Sequence, residues 1–183
     1  MSVRPKQVIG IDINEASVEY CRALGLDARL GNALDLPFES STFDGVHSAH
    51  VMHAFNSSQA TRYLSELIRV ARPGGTIVIS NLCDVRDIFI HPDVSRPYPP
   101  EALYRMIHVS SSPRSLLGTE VGGVKFKDIM FRRPPLINFR FVSSELMWHV
   151  ASTLNSVQFF CHLRKFWTYR GYTIVLTKSP GQR

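Results

Sequence analysis

Residues 8–13, Val-Ile-Gly-Ile-Asp-Ile, form a continuous apolar run broken only by an acid near its end. A run this short, without polar alternation, is what a strand buried on both faces presents, and such strands belong to parallel sheets covered by helices. Asn14 and Glu15 follow directly. The Asn side chain can accept from the free N–H groups of a first helical turn, and the acid suits the positive end of the helix. The helix should run to about Leu24, where Gly25 supplies a stop. The pattern then repeats. Ala28-Arg29-Leu30 reads as a second short strand, residues 36–41 as a loop, and residues 43–51 as a buried strand diluted by His47 and His50. Ser57 or Ser58 can cap a helix over residues 59–71, in which Tyr63, Leu64, Leu67, Ile68 and Ala71 recur at helical spacing. Arg72-Pro73-Gly74-Gly75 predicts a tight turn, and residues 76–82 a strand rich in β-branched side chains. Strand, helix, strand, strand, helix, strand with short links predicts an α/β fold with a mostly parallel sheet and flanking helices.

The chain changes character after Leu82. Residues 83–142 carry prolines at 92, 97, 99, 100, 113, 134 and 135. This stretch reads as an irregular insertion or lid within a single domain spanning 1–183. Pro99-Pro100-Glu101 can start a helix to about Val109, and residues 124–131 read as a strand or hairpin arm. A helix over 143–154 and strands over 157–163 and 172–178 would close the fold. Charge is uneven too. Residues 1–82 hold 7 Lys+Arg against 8 Asp+Glu, whereas residues 83–183 hold 14 against 7. A basic half can favour an anionic substrate, nucleic acid or a membrane surface, or can be a solvated face.

Composition narrows the classes further. No apolar run reaches the roughly 18 residues of a membrane helix. Cys21, Cys83 and Cys161 form no CxxC pair, so neither a zinc site nor a disulfide framework is expected. A cytoplasmic protein is the default reading.

Three segments in order resemble the class I S-adenosylmethionine (SAM) dependent methyltransferases of the broad type 11 kind. They are VIGIDIN at 8–14, GNALDLPFESSTFDGV at 31–46 and YLSELIRVARPGGTIVIS at 63–80. The resemblance implies a Rossmann-like fold, SAM as cofactor and methyl transfer to a small-molecule acceptor that the residues do not identify. It also implies site residues. Asp12, an acid at the carboxyl end of a buried strand, would accept from the ribose hydroxyls, as such acids do in nucleotide-binding sheets. A cap on the following turn is the other reading of Asp12. Ile13 would flank the adenine. Asn32-Ala33 stands where the family usually has Asp-Ala; the Asn32 amide oxygen would accept from the adenine amino group and the Ala33 N–H would donate to the ring. A turn-forming Asn is the alternative. Ser48 and His50 fall at the carboxyl end of the 43–51 strand, the edge where open parallel sheets bind ligands, and Ser48 would be a further cofactor-binding residue there. His50 could remove a proton from the acceptor, or could be a packing residue. Tyr98, Tyr104, His108 and Trp148 are further candidates for the acceptor pocket.

The family's fold opens with a strand and a glycine-rich loop that holds the methionine part of SAM. Only seven residues precede Val8, and they contain no glycine. The fold is therefore expected to be N-terminally truncated, with the first strand and helix missing. That strand would lie between the 8–13 and 43–51 strands. Those two would then pair directly, or a partner chain or a missing upstream segment would complete the sheet. Three other functions compete. The first is a methyltransferase-like binding or scaffold protein without catalysis. The second is a nicotinamide oxidoreductase, which Asp12 would suit but the ARPGG and LPF segments do not. The third is single-strand nucleic-acid binding through Arg132-Arg133 and the phenylalanines around them. Nucleic acid is not the expected partner, because the same residues describe a lid over a pocket.

Overall fold

The computed structural model describes residues 7–82, 94–108, 123–132 and 171–180. The elements are β1 (Gly10–Asp12), α1 (Glu15–Ala23), β2 (Ala28–Leu30), β3 (Phe43–Ala49), α2 (Ser57–Val70), β4 (Ala71–Leu82), α3 (Pro100–His108), β5 (Val124–Arg132) and β6 (Gly171–Lys178), with a short 3₁₀ turn at Met52–Ala54. β1 pairs in parallel with β2, Gly10 opposite Ala28 and Asp12 opposite Leu30. A second sheet has the order β3-β4-β6-β5. In it β3 and β4 run parallel, and β6 runs antiparallel to both of its neighbours. This is the Rossmann-like α/β class read from the sequence. The helix at 143–154, the strand at 157–163, Trp148, Cys83 and Cys161 lie outside the described residues.

Local chemistry sets the element ends. The Asn14 side chain accepts from the Ser17 N–H at 3.2 Å and opens α1. Gly25, at φ +79°, turns the chain just after it. α2 starts one residue earlier than the serines suggest. Its cap is Asn56, whose side chain accepts from the Gln59 N–H while the Gln59 side chain accepts from the Asn56 N–H, both at 3.0 Å. This reciprocal box satisfies two N–H groups at once; a cap at Ser57 or Ser58 would have Ala60 or Thr61 at the third helical position and could not form it.

The expected turn at 72–75 proves to be a bulge inside a strand. β4 begins at Ala71, which stands opposite Phe43, and the next pair is Gly45 with Thr76. The intervening residues loop out, helped by Gly74 at φ +77°. A Cβ on Gly75 would lie 2.8 Å from the Arg72 carbonyl oxygen and 3.1 Å from that of Asp44. Arg72 and Asp44 pair as ions across the bulge.

The core lies on one face of the larger sheet. Tyr63, Leu64 and Leu67 of α2 meet Ile77 and Ile79 of β4, Tyr172, Ile174 and Leu176 of β6, and Leu103, Met106 and Ile107 of α3. Burying a large apolar side chain contributes about 1.5–3 kcal/mol, so this cluster is the main stabiliser of the described fold. Among the described residues the 83–142 stretch supplies α3 and β5, and β5 is the outer strand of the larger sheet.

β1 and β3 do not pair with one another among the described residues. Each has one bonded neighbour, and the free sides of both border one cavity. Apolar side chains stand exposed near that gap, Val8 at 65% and Ile13 at 73%. No described helix is long and apolar enough to cross a membrane.

Candidate functional site

The cavity between β1 and β3 has a volume of about 690 Å³. Its floor is strand backbone and apolar side chain, including Ile9, Gly10 and Ile11 on one side and Phe43, Gly45 and Val46 on the other. Its rim lies at the carboxyl ends of β1, β2 and β3. Asp12, Ile13, Asn32, Ala33, Ser48 and His50 all line it. The structure thus brings the six residues singled out in the sequence to one hollow. Tyr98 and Tyr104 do not line it. Tyr98 is buried and donates to the Phe55 carbonyl at 2.9 Å, and the Tyr104 ring packs on Phe126.

The rim groups are only partly engaged. Asp12 Oδ1 accepts from the Asn14 N–H at 2.8 Å, steadying the turn into α1. Its second oxygen has no partner among the described residues. Asn32 Oδ1 accepts from the Leu34 N–H at 2.9 Å, and the Asn32 carbonyl accepts from the Asp35 N–H. The turn roles weighed for Asp12 and Asn32 are therefore real. They leave one Asp12 oxygen, the Asn32 amide nitrogen and the Ala33 N–H unused among the described residues.

Ser48 is held from below. The Tyr63 hydroxyl donates to its Oγ at 2.6 Å, which ties the carboxyl end of β3 to α2. Burial pushes the Tyr63 phenol up to about 12, so it remains a donor throughout the physiological range.

His50 leaves the end of β3 at φ +57°, in the left-handed region, and its N–H donates to the Ser80 carbonyl at 2.9 Å. Its Nε2 lies 3.1 Å from Nη2 of Arg132, the last residue of β5. A guanidinium has donors only, so this contact requires Nε2 to be the unprotonated nitrogen and Nδ1 to carry the hydrogen. Burial, then the Arg132 charge, then His53 hold the His50 imidazole below its ordinary value. His50 is thus neutral at physiological pH. The His53 ring lies 6.3 Å from it, centroid to centroid, and also lines the cavity.

A further set of contacts shapes the wall. Arg69 of α2 donates to the Phe38 carbonyl at 2.7 Å and the Leu36 carbonyl at 2.9 Å, and its Nε donates to Glu66 at 2.7 Å. Glu66 in turn accepts from the Leu36 N–H at 2.7 Å. Arg62 donates to the Leu34 carbonyl at 2.7 Å. These bonds hold the 34–38 loop against α2, so that Leu36 and Phe38 face the cavity. Sequence reasoning did not single out Glu66 and Arg69, although their signal is present as an acid and a base at i,i+3 on a helix following a Leu-Pro-Phe loop. Arg132, read with Arg133 as nucleic-acid surface or lid, carried no signal of its contact with His50. It is 82 residues from His50. Among the described residues no group of three His, Cys, Asp or Glu is placed to hold a metal ion.

Comparison with known proteins bears on this geometry. Residues 1–79 match the methyltransferase domain family. A phthiotriol/phenolphthiotriol dimycocerosates methyltransferase of Mycobacterium ulcerans is 34% identical over 85 residues, covering 44% of this chain and 31% of that protein. A demethylmenaquinone methyltransferase of Symbiobacterium thermophilum is 40% identical over 80 residues, covering 39% of this chain and 31% of that protein. The matched stretch thus spans less than a third of either relative. Among solved structures, a SAM dependent methyltransferase from Archaeoglobus fulgidus superposes with a TM-score of 0.58 at 20% identity, covering 93% of this chain and 75% of that one. That similarity shows the fold. Over residues 1–79 the chain carries the methyltransferase-domain pattern, on a class I, Rossmann-like scaffold.

Proposed function

We propose that this chain belongs to a SAM-dependent methyltransferase acting on a small molecule, and that the cavity rim holds the adenosine end of SAM. The observation that carries the reading is the convergence of Asp12 and Asn32-Ala33 on one hollow at the carboxyl ends of parallel strands. The free polar atoms fit the group. Asp12 Oδ2 can accept from a ribose hydroxyl, Asn32 can accept through the second lone pair of its amide oxygen, and the Ala33 N–H can donate to a ring nitrogen. Ile13 offers an apolar face to the base. No described residue is assigned to the methionine end.

When bound, SAM supplies a methyl group on a positively charged sulfur. Ser48, His50 and Tyr63 stand on the acceptor side of the rim. Tyr63 fixes Ser48, which can donate to an acceptor oxygen. His50, neutral, can take the acceptor's proton once Nε2 is free. Alignment supplies most of such a reaction, so few chemical groups are needed. The two relatives are named as methyltransferases of phthiotriol/phenolphthiotriol dimycocerosates and of demethylmenaquinone, which supports a small-molecule acceptor here.

The same reading has an extended segment, from an upstream part of the protein or from a partner chain, running between β1 and β3. The two free edges that border one gap support it. The 83–142 stretch then belongs to the same domain and shapes the acceptor side, and the setting is cytosolic, in keeping with a sequence whose cysteines are widely spaced without a CxxC pair. A catalytically inactive binding protein on this scaffold is the competing reading, favoured by the local bonds that Asp12 and Asn32 already make. Calorimetric titration of SAM into the chain and into Asp12→Ala decides between them. Methyltransferase function predicts saturable binding that weakens about tenfold or more in the variant, the scale of a lost hydrogen bond to a charged group. Equal affinity of the two proteins, or no binding to either, contradicts it.

A further inference from the structure

Arg132 occupies an unusual path. It ends the outer strand β5 opposite Gly171, the first residue of β6. A Cβ on Gly171 would lie 3.3 Å from Arg132 Nη2 and 3.4 Å from Nε, so the guanidinium lies across that glycine. From there its Nη2 meets Nε2 of His50, whose ring reaches back toward it from beyond the end of β3. Strands lie about 4.8 Å apart, so this one side chain and the imidazole together bridge roughly 14 Å along the sheet's carboxyl edge. Only the His50 contact occupies it: no carboxylate pairs with Arg132 among the described residues, and four of its five donors remain unused there. The buried His53 ring lines the same cavity, and its Nδ1 has no partner among the described residues.

A cation held over the rim of a cavity, with a neutral imidazole as its one partner among the described residues, is built to exchange that partner for an anion. A guanidinium binds a carboxylate through two parallel, charge-assisted bonds, far more strongly than one imidazole nitrogen. We propose that Arg132 recognises a carboxylate on the methyl acceptor, and that its transfer from His50 to that carboxylate frees Nε2 to act as the base. The inference rests on the methyltransferase reading for the role of the base, but not for the carboxylate site. The acceptor's O–H bond breaks as its proton passes to His50 Nε2. The oxygen's electron pair forms the new bond to the methyl carbon, and the sulfur keeps the pair of the broken C–S bond. Arg132 is thus a specificity residue that also keeps the base covered until an acidic acceptor arrives.

Benzoate, with benzamide as its neutral counterpart, tests this on the full chain by NMR, reading the His50 imidazole nitrogens. Benzoate should bind saturably and shift Nε2 as Arg132 leaves it. Benzamide should not. Arg132→Gln should weaken benzoate binding about tenfold or more, and Arg132→Lys should restore part of it. Benzamide matching benzoate, undiminished binding to Arg132→Gln, or no benzoate binding to the folded wild type would overturn the proposal. Adenosine, which carries no carboxylate, titrated into the same samples separates the two readings. Arg132→Gln should leave its affinity unchanged, and its failure to bind the wild type would remove the methyltransferase reading while the carboxylate result stood alone.

Discussion

His50 concentrates the residue-scale argument. Its imidazole is held below its ordinary value by burial first and by Arg132 and His53 next, with no described carboxylate beside it. In the unfolded chain it takes a proton at its ordinary value, whereas in the folded chain it resists until lower pH. Between those values the unfolded state binds more protons, so stability falls as pH drops through that window. Protonation also ends the Arg132 contact, since a protonated Nε2 cannot accept from a guanidinium. Urea unfolding at pH 7.5 and 5.5 should show a larger acid loss for the wild type than for His50→Gln. Equal losses would mean that the imidazole is as free in the fold as in the open chain. Glu66 works with the same sign in a lower window. Its Arg69 hydrogen bond holds its carboxyl below the usual range, so its contribution is present above the ordinary carboxylate value and lost as pH falls through the folded one.

At the scale of elements, α2 does more than cover the sheet. Its buried stripe of Ala60, Tyr63, Leu64, Leu67 and Val70 faces the core, while Arg62, Glu66 and Arg69 hold the 34–38 loop that walls the cavity. Lys178 of β6 completes the junction by donating to the Ala71 carbonyl at 2.7 Å, past the end of the helix. Arg69→Met keeps the stem but loses every donor. It should cost about 1–3 kcal/mol in chemical denaturation and speed amide exchange at Leu36, while the β4 amides stay protected. Unchanged stability would show that packing alone seats the loop. Much at this scale was legible in the sequence. The runs that became β1, β2 and β3, the Asn14 cap and the Gly25 stop depend on neighbours a few residues away. The turn expected at 72–75 failed for a nonlocal reason: Ala71 is a strand residue only because Phe43 lies opposite. The strand at 124–131 was legible, but its place beside β6 was not. Asn56 differs, since its Gln59 partner stood in plain view three residues on.

The whole molecule combines a well-made half with an open seam. β4 and β6 are bonded on both sides and contribute Ile77, Ile79, Tyr172, Ile174 and Leu176 to the core, each no more than 1% exposed. Among the described residues β1 and β3 are bonded on one side only. Native-state hydrogen exchange should therefore show the slowest amides in β4 and β6, and faster exchange among the cavity-facing amides of β1 and β3. A segment added between them should slow these in particular. Uniform protection of both strands in the chain alone would mean that the seam is already closed. The six rim residues were legible as a group because a family resemblance ordered them along the chain. Their actual bonds were not, since the Asp12, Asn32 and His50 partners depend on how turns and distant strands come together. The central claim is that the rim of this seam is a nucleoside site, and the most direct test is the structure of the chain bound to S-adenosylhomocysteine. The account predicts ribose hydroxyls within hydrogen-bonding distance of the Asp12 carboxylate and the adenine between Ile13 and the Asn32-Ala33 backbone. A nucleoside bound elsewhere, with Asp12 still engaged only by Asn14, would contradict it.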